Sequence, residues 1–149
     1  MILIESDNAV YCERENVELK KQLYANPEAI DLPESQVGRF KASSGSWASC
    51  VRMIEPIEMK TLDLLELENN ECAVSLTITS FPGHEGEMYL FVGTIKDYFL
   101  EPKSFTSCYI HTYGFKEQGK KLELLHKTLV EDIPYCFVNF KGRLLAGIG

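Results

Sequence analysis

Residues 121–149 read KLELLHKTLVEDIPYCFVNFKGRLLAGIG, and this stretch decides the fold. Leu122, Leu124 and His126 alternate with Glu123, Leu125 and Lys127, the two-residue period of a strand. Glu131, Asp132 and Pro134 break that run as turn residues do. Tyr135 to Phe140 is aromatic and β-branched, the composition of a second strand. Lys141-Gly142 turns the chain tightly, and Arg143 to Gly149 leaves as a third.

The same alternation extends back from Lys121. Phe105 to Phe115 reads as a strand closed by a turn over Lys116 to Lys120, which holds Gly119. Lys96 to Ser104 is a longer connection. Met88 to Ile95 is apolar on both faces, and Phe81 to Glu87, with Pro82, Gly83 and Gly86, is a turn. Cys72 to Thr79 alternates cleanly, Val74, Leu76 and Ile78 against Ser75, Thr77 and Thr79. Thr61 to Leu67 and Trp47 to Ile54 complete the series, with Asn69-Asn70-Glu71 read as a polar turn and Glu66, Glu68 and Glu71 as solvated acids. Asp31 to Ser46 has linker composition. Tyr11 to Ala25 carries strong helix formers with Leu19 and Leu23 one turn apart, which predicts a short surface helix ended at Asn26-Pro27. Met1 to Glu5 is a strand, and Ser6, Asp7 and Asn8 are N-cap types. About eight strands thus follow the linker, joined by short turns as an antiparallel meander. Strands apolar on both faces belong to sheets stacked on sheets.

An internal repeat refines this. Thr61 to Leu67 aligns with Lys121 to Lys127, Ala73 to Thr79 with Tyr135 to Phe140, Trp47 to Met53 with Cys108 to Gly114, and Tyr89 to Ile95 with Arg143 to Gly149. A four-stranded antiparallel unit that recurs in this way is a β-propeller blade with long loops. The expected fold is therefore all-β: four-stranded propeller blades in a partial propeller, with a short helix and linker near the N-terminus. The expected division is a strand at 1–7 and the rest of its blade at 47–67, with the variable helix and linker at 8–46 between them. A complete blade follows at 73–128, then the start of the next at 134–149. Closed propellers have about four to eight blades, so the chain is expected to be a fragment of a larger protein.

Composition excludes several classes. At 45% hydrophobic residues the chain is globular, and its net charge of −7 argues against a direct grip on nucleic-acid phosphates. The five cysteines are widely spaced and form no CxxC, so no zinc site is expected. Four of them lie in strand-like runs, where free Cys acts as a small hydrophobe. No signal peptide or membrane span is read. His84, His111 and His126 have no HExxH or His-x-His spacing and read as core or surface residues. Cys108 and His111, three apart on a strand, face opposite ways and make no nucleophile pair. The glycines of GRLLAGIG make no phosphate loop, and the lysine pairs 20–21 and 120–121 read as solvated.

Several stretches, in order, carry a family resemblance: DLPESQVGRFKASSGSWASCVRMIEP, TLDLLELENNECAVSL, FVGTIKDYFLEPKS, LHKTLVEDIP and NFKGRLLAGIG. Together they resemble the third propeller of the splicing factor 3b subunit 3 family, spliceosome-associated scaffolds. MILIESD resembles the strand just upstream; Tyr11 to Ile30 matches nothing. The wider superfamily holds the damaged-DNA-binding scaffold of cullin ubiquitin ligases and a large cleavage and polyadenylation subunit. Tyr135, Cys136 and Phe137 are bulkier than the small residues of the family pattern, and Tyr98 and Phe99 enlarge the loop after FVGT.

The resemblance implies a nuclear, non-enzymatic scaffold without catalytic residues, metal or cofactor. It implies other splicing factor 3b subunits and U2 small nuclear ribonucleoprotein proteins as partners, in branch-site recognition during pre-mRNA splicing. RNA would be met only indirectly, with no membrane and no small-molecule substrate. The alternatives are an adaptor of a cullin ligase or of the polyadenylation machinery, and a propeller enzyme with its site on the blade loops. The residues themselves single out Tyr98, Phe99, Leu100 and Phe105 as candidate partner contacts, because loop aromatics anchor interfaces. The competing reading is that they pack the loop onto its own blade.

Overall fold

A computed structural model describes residues 1–8, 42, 45–84 and 86–149. Nine strands follow in order: β1 Ile2–Asn8, β2 Trp47–Glu55, β3 Lys60–Glu66, β4 Glu71–Thr79, β5 Tyr89–Lys96, β6 Ser107–Lys116, β7 Lys121–Val130, β8 Pro134–Phe140 and β9 Arg143–Ile148. They form three antiparallel sheets of neighbouring strands, β1-β2-β3, β4-β5-β6-β7 and β8-β9. The architecture is all-β, in partial propeller blades. The helix expected over Tyr11 to Ala25 and most of the linker lie outside the described residues.

The core lies between sheets, as strands with two apolar faces require. Val51 and Met53 of β2 meet Ala73, Leu90, Val92, Tyr113 and Leu122 of the second sheet. On the other side Ile95 and Cys108 meet Ile133, with Val74, Tyr98, Phe105 and Val130 around them. Strand β5 is therefore covered on both faces from Leu90 to Ile95. Each fully buried aliphatic side chain there contributes about 1.5–3 kcal/mol.

Polar stitching joins the sheets. The Ala73 N–H donates to Ser49 Oγ at 3.2 Å, Ser49 Oγ to Ser6 Oγ at 2.8 Å, and Ser6 Oγ to the Ala73 carbonyl at 3.0 Å, a closed ring. Ala73 precedes a register shift in β4, where a bulge disrupts the ladder. On the opposite side Ser75 Oγ donates to the Pro134 carbonyl, and Asn139 Nδ2 donates to Thr79 Oγ1 and to the Ser80 carbonyl. Gly93 is required at that crossing, since a Cβ there would lie 2.7 Å from the Pro134 carbonyl oxygen.

Three expectations are corrected. Ser6, Asp7 and Asn8 continue β1, paired with Ser49, Ala48 and Trp47, because the ladder with β2 outweighs their turn preference. Glu71 opens β4 and is fully buried; its carboxylate is solvated by protein donors instead of water. In β7 the register with β6 shifts, Thr112 facing His126 and Tyr113 facing Leu124. Leu125 is the inserted residue, so Leu124 and His126 do not share a face, and Lys127 takes the side of His111.

Candidate partner-binding loop

The connection from β5 to β6, residues 97–106, is fixed at its root. Asp97 (φ +55°) and Asn70 (φ +57°) both occupy the left-handed region, which Asn and Asp tolerate better than most residues. The Asp97 N–H donates to the Asn70 carbonyl at 2.9 Å, and Asn70 Nδ2 donates to Asp97 Oδ1 at 2.6 Å. Thr106 Oγ1 donates to Asp97 Oδ2 at 2.8 Å. Trp47 adds two bonds, its N–H to Asn70 Oδ1 at 2.9 Å and its Nε1–H to the Tyr98 carbonyl at 2.7 Å. The Trp47 and Tyr98 rings stack with centroids 6.0 Å apart. Further out, Phe99 and Ser104 exchange two backbone bonds of 2.8 and 3.1 Å, which close the tip over Leu100 to Lys103.

This frame divides the four candidate residues. Tyr98 and Phe105 turn inward onto Ile95, Cys108 and Ile133. Phe99 and Leu100 turn outward, 53% and 61% exposed. Tyr135, half exposed at the start of β8, adds a third aromatic surface, and Lys103 Nζ stands 5.8 Å from its ring centroid. Burial, and then the neighbouring Tyr135, raises the Tyr98 phenol. Sequence reasoning missed Trp47, Asn70, Asp97 and Tyr135 as parts of this surface. The paired asparagines 69 and 70 gave a turn signal, but nothing in the sequence linked that turn to a loop 27 residues later. The loop can present apolar anchors on a pre-ordered frame, which lowers the entropic cost of association.

Reactive groups do not converge there. His84 is exposed and 3.3 Å from Glu87, and His126 lies on the exposed strand β7. His111 is buried, with Nε2 donating to Glu71 Oε1 at 3.0 Å and Nδ1 3.0 Å from the Tyr113 hydroxyl. Burial works against the charge of Glu71, yet the bonds from His111 and Thr94 outweigh it and hold the carboxyl down to about 2. Burial pushes Cys50 up to about 12 and Cys72 up to about 11, and it also raises Cys108. Among the described residues no group of three His, Cys, Asp or Glu side chains could hold a metal ion. A groove of about 680 Å³, lined by Met1, Met53, Ile78, Met88, Phe115 and Leu125, lies at the other end of the strands.

The family model described as the CPSF A subunit region matches residues 48–149. Pre-mRNA-splicing factor rse1 of Neurospora crassa is 45% identical over 148 residues, 98% of this chain. Splicing factor 3B subunit 3 of Danio rerio is 41% identical over 168 residues, and Spliceosome-associated protein 130 A of Arabidopsis thaliana is 36% identical over 171, each match covering the whole chain. The chain spans 12% of the length of the Neurospora relative and 14% of the other two.

Proposed function

The chain belongs to the CPSF A subunit family, and from that premise we propose that it is part of a non-enzymatic scaffold of the splicing factor 3b type. On this reading it acts in the nucleus, in pre-mRNA splicing at the branch site, within the U2 small nuclear ribonucleoprotein. Its partners are other proteins of that particle, and RNA is reached only through them. The names of the three relatives support the splicing assignment. The chain divides into a blade built from 1–7 and 47–67, a whole blade at 73–128, and the beginning of another at 134–149. The order of strands in the three sheets is the observation that supports this reading.

Partner contact falls on the loop after β5. The observation that carries this reading is the outward pair Phe99 and Leu100 on a loop whose root is held by Asp97, Asn70 and Trp47. Exposed apolar side chains on an ordered frame are a suitable interface anchor. Tyr98 and Phe105 support the loop from below. A second reading, an adaptor of the cleavage and polyadenylation machinery, is favoured by the description of the matching family model.

The test is affinity isolation of the tagged protein from nuclear extract, with the co-purifying proteins identified by mass spectrometry. Splicing factor 3b subunits are expected, with recovery reduced at least about fivefold by Phe99→Ala with Leu100→Ala, as hot-spot truncations do. Recovery of polyadenylation subunits or a cullin instead overturns the splicing assignment. Full recovery of the splicing subunits by the double variant overturns the loop.

A further inference from the structure

Each strand of the second sheet places one polar side chain in a single cluster. They are Glu71 on β4, Thr94 on β5, His111 on β6 and Lys127 on β7. Three of the four are buried, and the Lys127 side chain is 24% exposed. The donors converge on one carboxylate: onto Glu71 Oε1 come Thr94 Oγ1 at 2.6 Å and His111 Nε2 at 3.0 Å, with Lys127 Nζ at 3.7 Å. The backbone N–H of Glu68 reaches Oε2 at 3.2 Å.

Lys127 does more than approach Glu71. Its ammonium also lies 3.0 Å from Oε1 of Glu68, whose other carboxylate oxygen is paired with Lys96 of β5, and 4.3 Å from the centroid of the Tyr109 ring. Glu68 belongs to the segment that crosses from β3, in the first sheet, to β4, in the second. One side chain on the outermost strand therefore touches both the innermost strand and the inter-sheet crossover. The bulge at Leu125 makes this possible, because it turns Lys127 to the face of His111. The repeat does not supply this arrangement in the first sheet. The aligned residues there are Cys50 for His111 and Leu67 for Lys127, and the buried charge of that sheet is instead Arg52, paired with Glu5 at 2.9 Å.

We propose that Lys127 is a latch, gripping Glu68 and Glu71 together, that binds β7 to the crossover and makes the four strands open as one unit. An exposed ion pair would not do this, being worth about 0–1 kcal/mol. Here the anchor carboxylate is fully buried and the ammonium faces two acids and an aromatic ring. Releasing the ammonium leaves Glu71 to Thr94, His111 and the Glu68 N–H, and costs the attraction of a positive charge for an anion held out of water. The strand ladder alone gives no such coupling, since in it β7 pairs with β6 alone and an outer strand frays first; the bond from the Leu122 N–H to Asp63 Oδ2 of β3, 2.7 Å, ties only the far end of β7.

Amide hydrogen exchange of the whole chain tests this, in the wild type, Lys127→Met, Lys127→Arg and Lys116→Met. In the wild type the amides of β7 and of β5 and β6 are expected to exchange at one common slow rate. Lys127→Met is expected to speed exchange in 127–130 at least about tenfold, with β5, β6 and the crossover, which Lys96 and Asp97 still hold, unchanged. Lys127→Arg retains the charge and restores protection. Lys116→Met, which removes an exposed pair with Glu123, changes nothing. The latch is overturned if β7 already exchanges faster than β5 and β6 in the wild type. It is equally overturned if Lys127→Met loosens all four strands alike or none.

Discussion

His111 Nε2 lies 3.0 Å from Glu71 Oε1, and both side chains are closed to solvent. The carboxyl is held below its ordinary range when folded, so it stabilises the fold above its unfolded value of 4.5, and that contribution is lost as pH falls toward about 2. A depression of this size corresponds to about 3 kcal/mol. In urea unfolding, the gap in midpoint between the wild type and Glu71→Gln should be constant from about pH 7 to pH 5 and close in more acid solution. A gap that widens on acidification would contradict the depressed carboxyl.

The serine ring between the first two sheets makes a separate demand. Ser49→Ala removes the acceptor of the Ala73 N–H and the donor to Ser6. A buried donor left unpaired costs about 1–3 kcal/mol. Chemical unfolding should report a loss in that range. Ser6→Ala with Ser49→Ala should cost less than the sum of the two single changes, since both break one ring.

The loop after β5 should split by direction. Phe105→Ala removes packing from Ile95, Cys108 and Ile133 and should cost about 3 kcal/mol. Phe99→Ala removes a side chain that is mostly in solvent and should change stability by about 0.5 kcal/mol or less. Thermal unfolding of the two variants separates them. Equal losses would mean that Phe99 is part of the core.

The cysteines differ in access. Cys50, Cys72 and Cys108 are buried, with thiols raised by that burial, whereas Cys136 is exposed. Iodoacetamide at neutral pH, followed by peptide mapping, should label Cys136 in the folded protein and spare the other three. In urea all five cysteines of the chain should react. Labelling of Cys108 without denaturant would show that the contact with Ile133 opens readily.

Much of the fold was legible because it rests on local pattern. The alternation in Cys72 to Thr79 and the turn residues around Pro82 and Gly142 set strand order without any long-range knowledge. The polar cluster was not legible. Glu71 stands in an Asn-Asn-Glu run that reads as a turn, and its first partner, Thr94, is 23 residues away. Nor did the sequence place the bulge. The Leu124-Leu125 doublet coincides with one, yet in the aligned Leu64-Leu65 the residue skipped by the pairing is Leu62. The loop residues were found by type alone, and their division into inward and outward pairs depends on Trp47 and Asn70, which lie far back in the chain.

Asn8 and Trp47 face each other in the ladder of β1 and β2. Residues 9–46 join the two partners of one rung, so the two ends of that segment are fixed side by side. Doubling the length of such a closed segment costs only about 0.6 kcal/mol of closure entropy. Closure entropy therefore sets little limit on the length of that segment, while Trp47, fastened to Tyr98 and Asn70, holds its C-terminal end beside the aromatic loop. Evolution can lengthen or shorten the connection at that rung for little closure entropy, and the pairing of β1 with β2 stays in register.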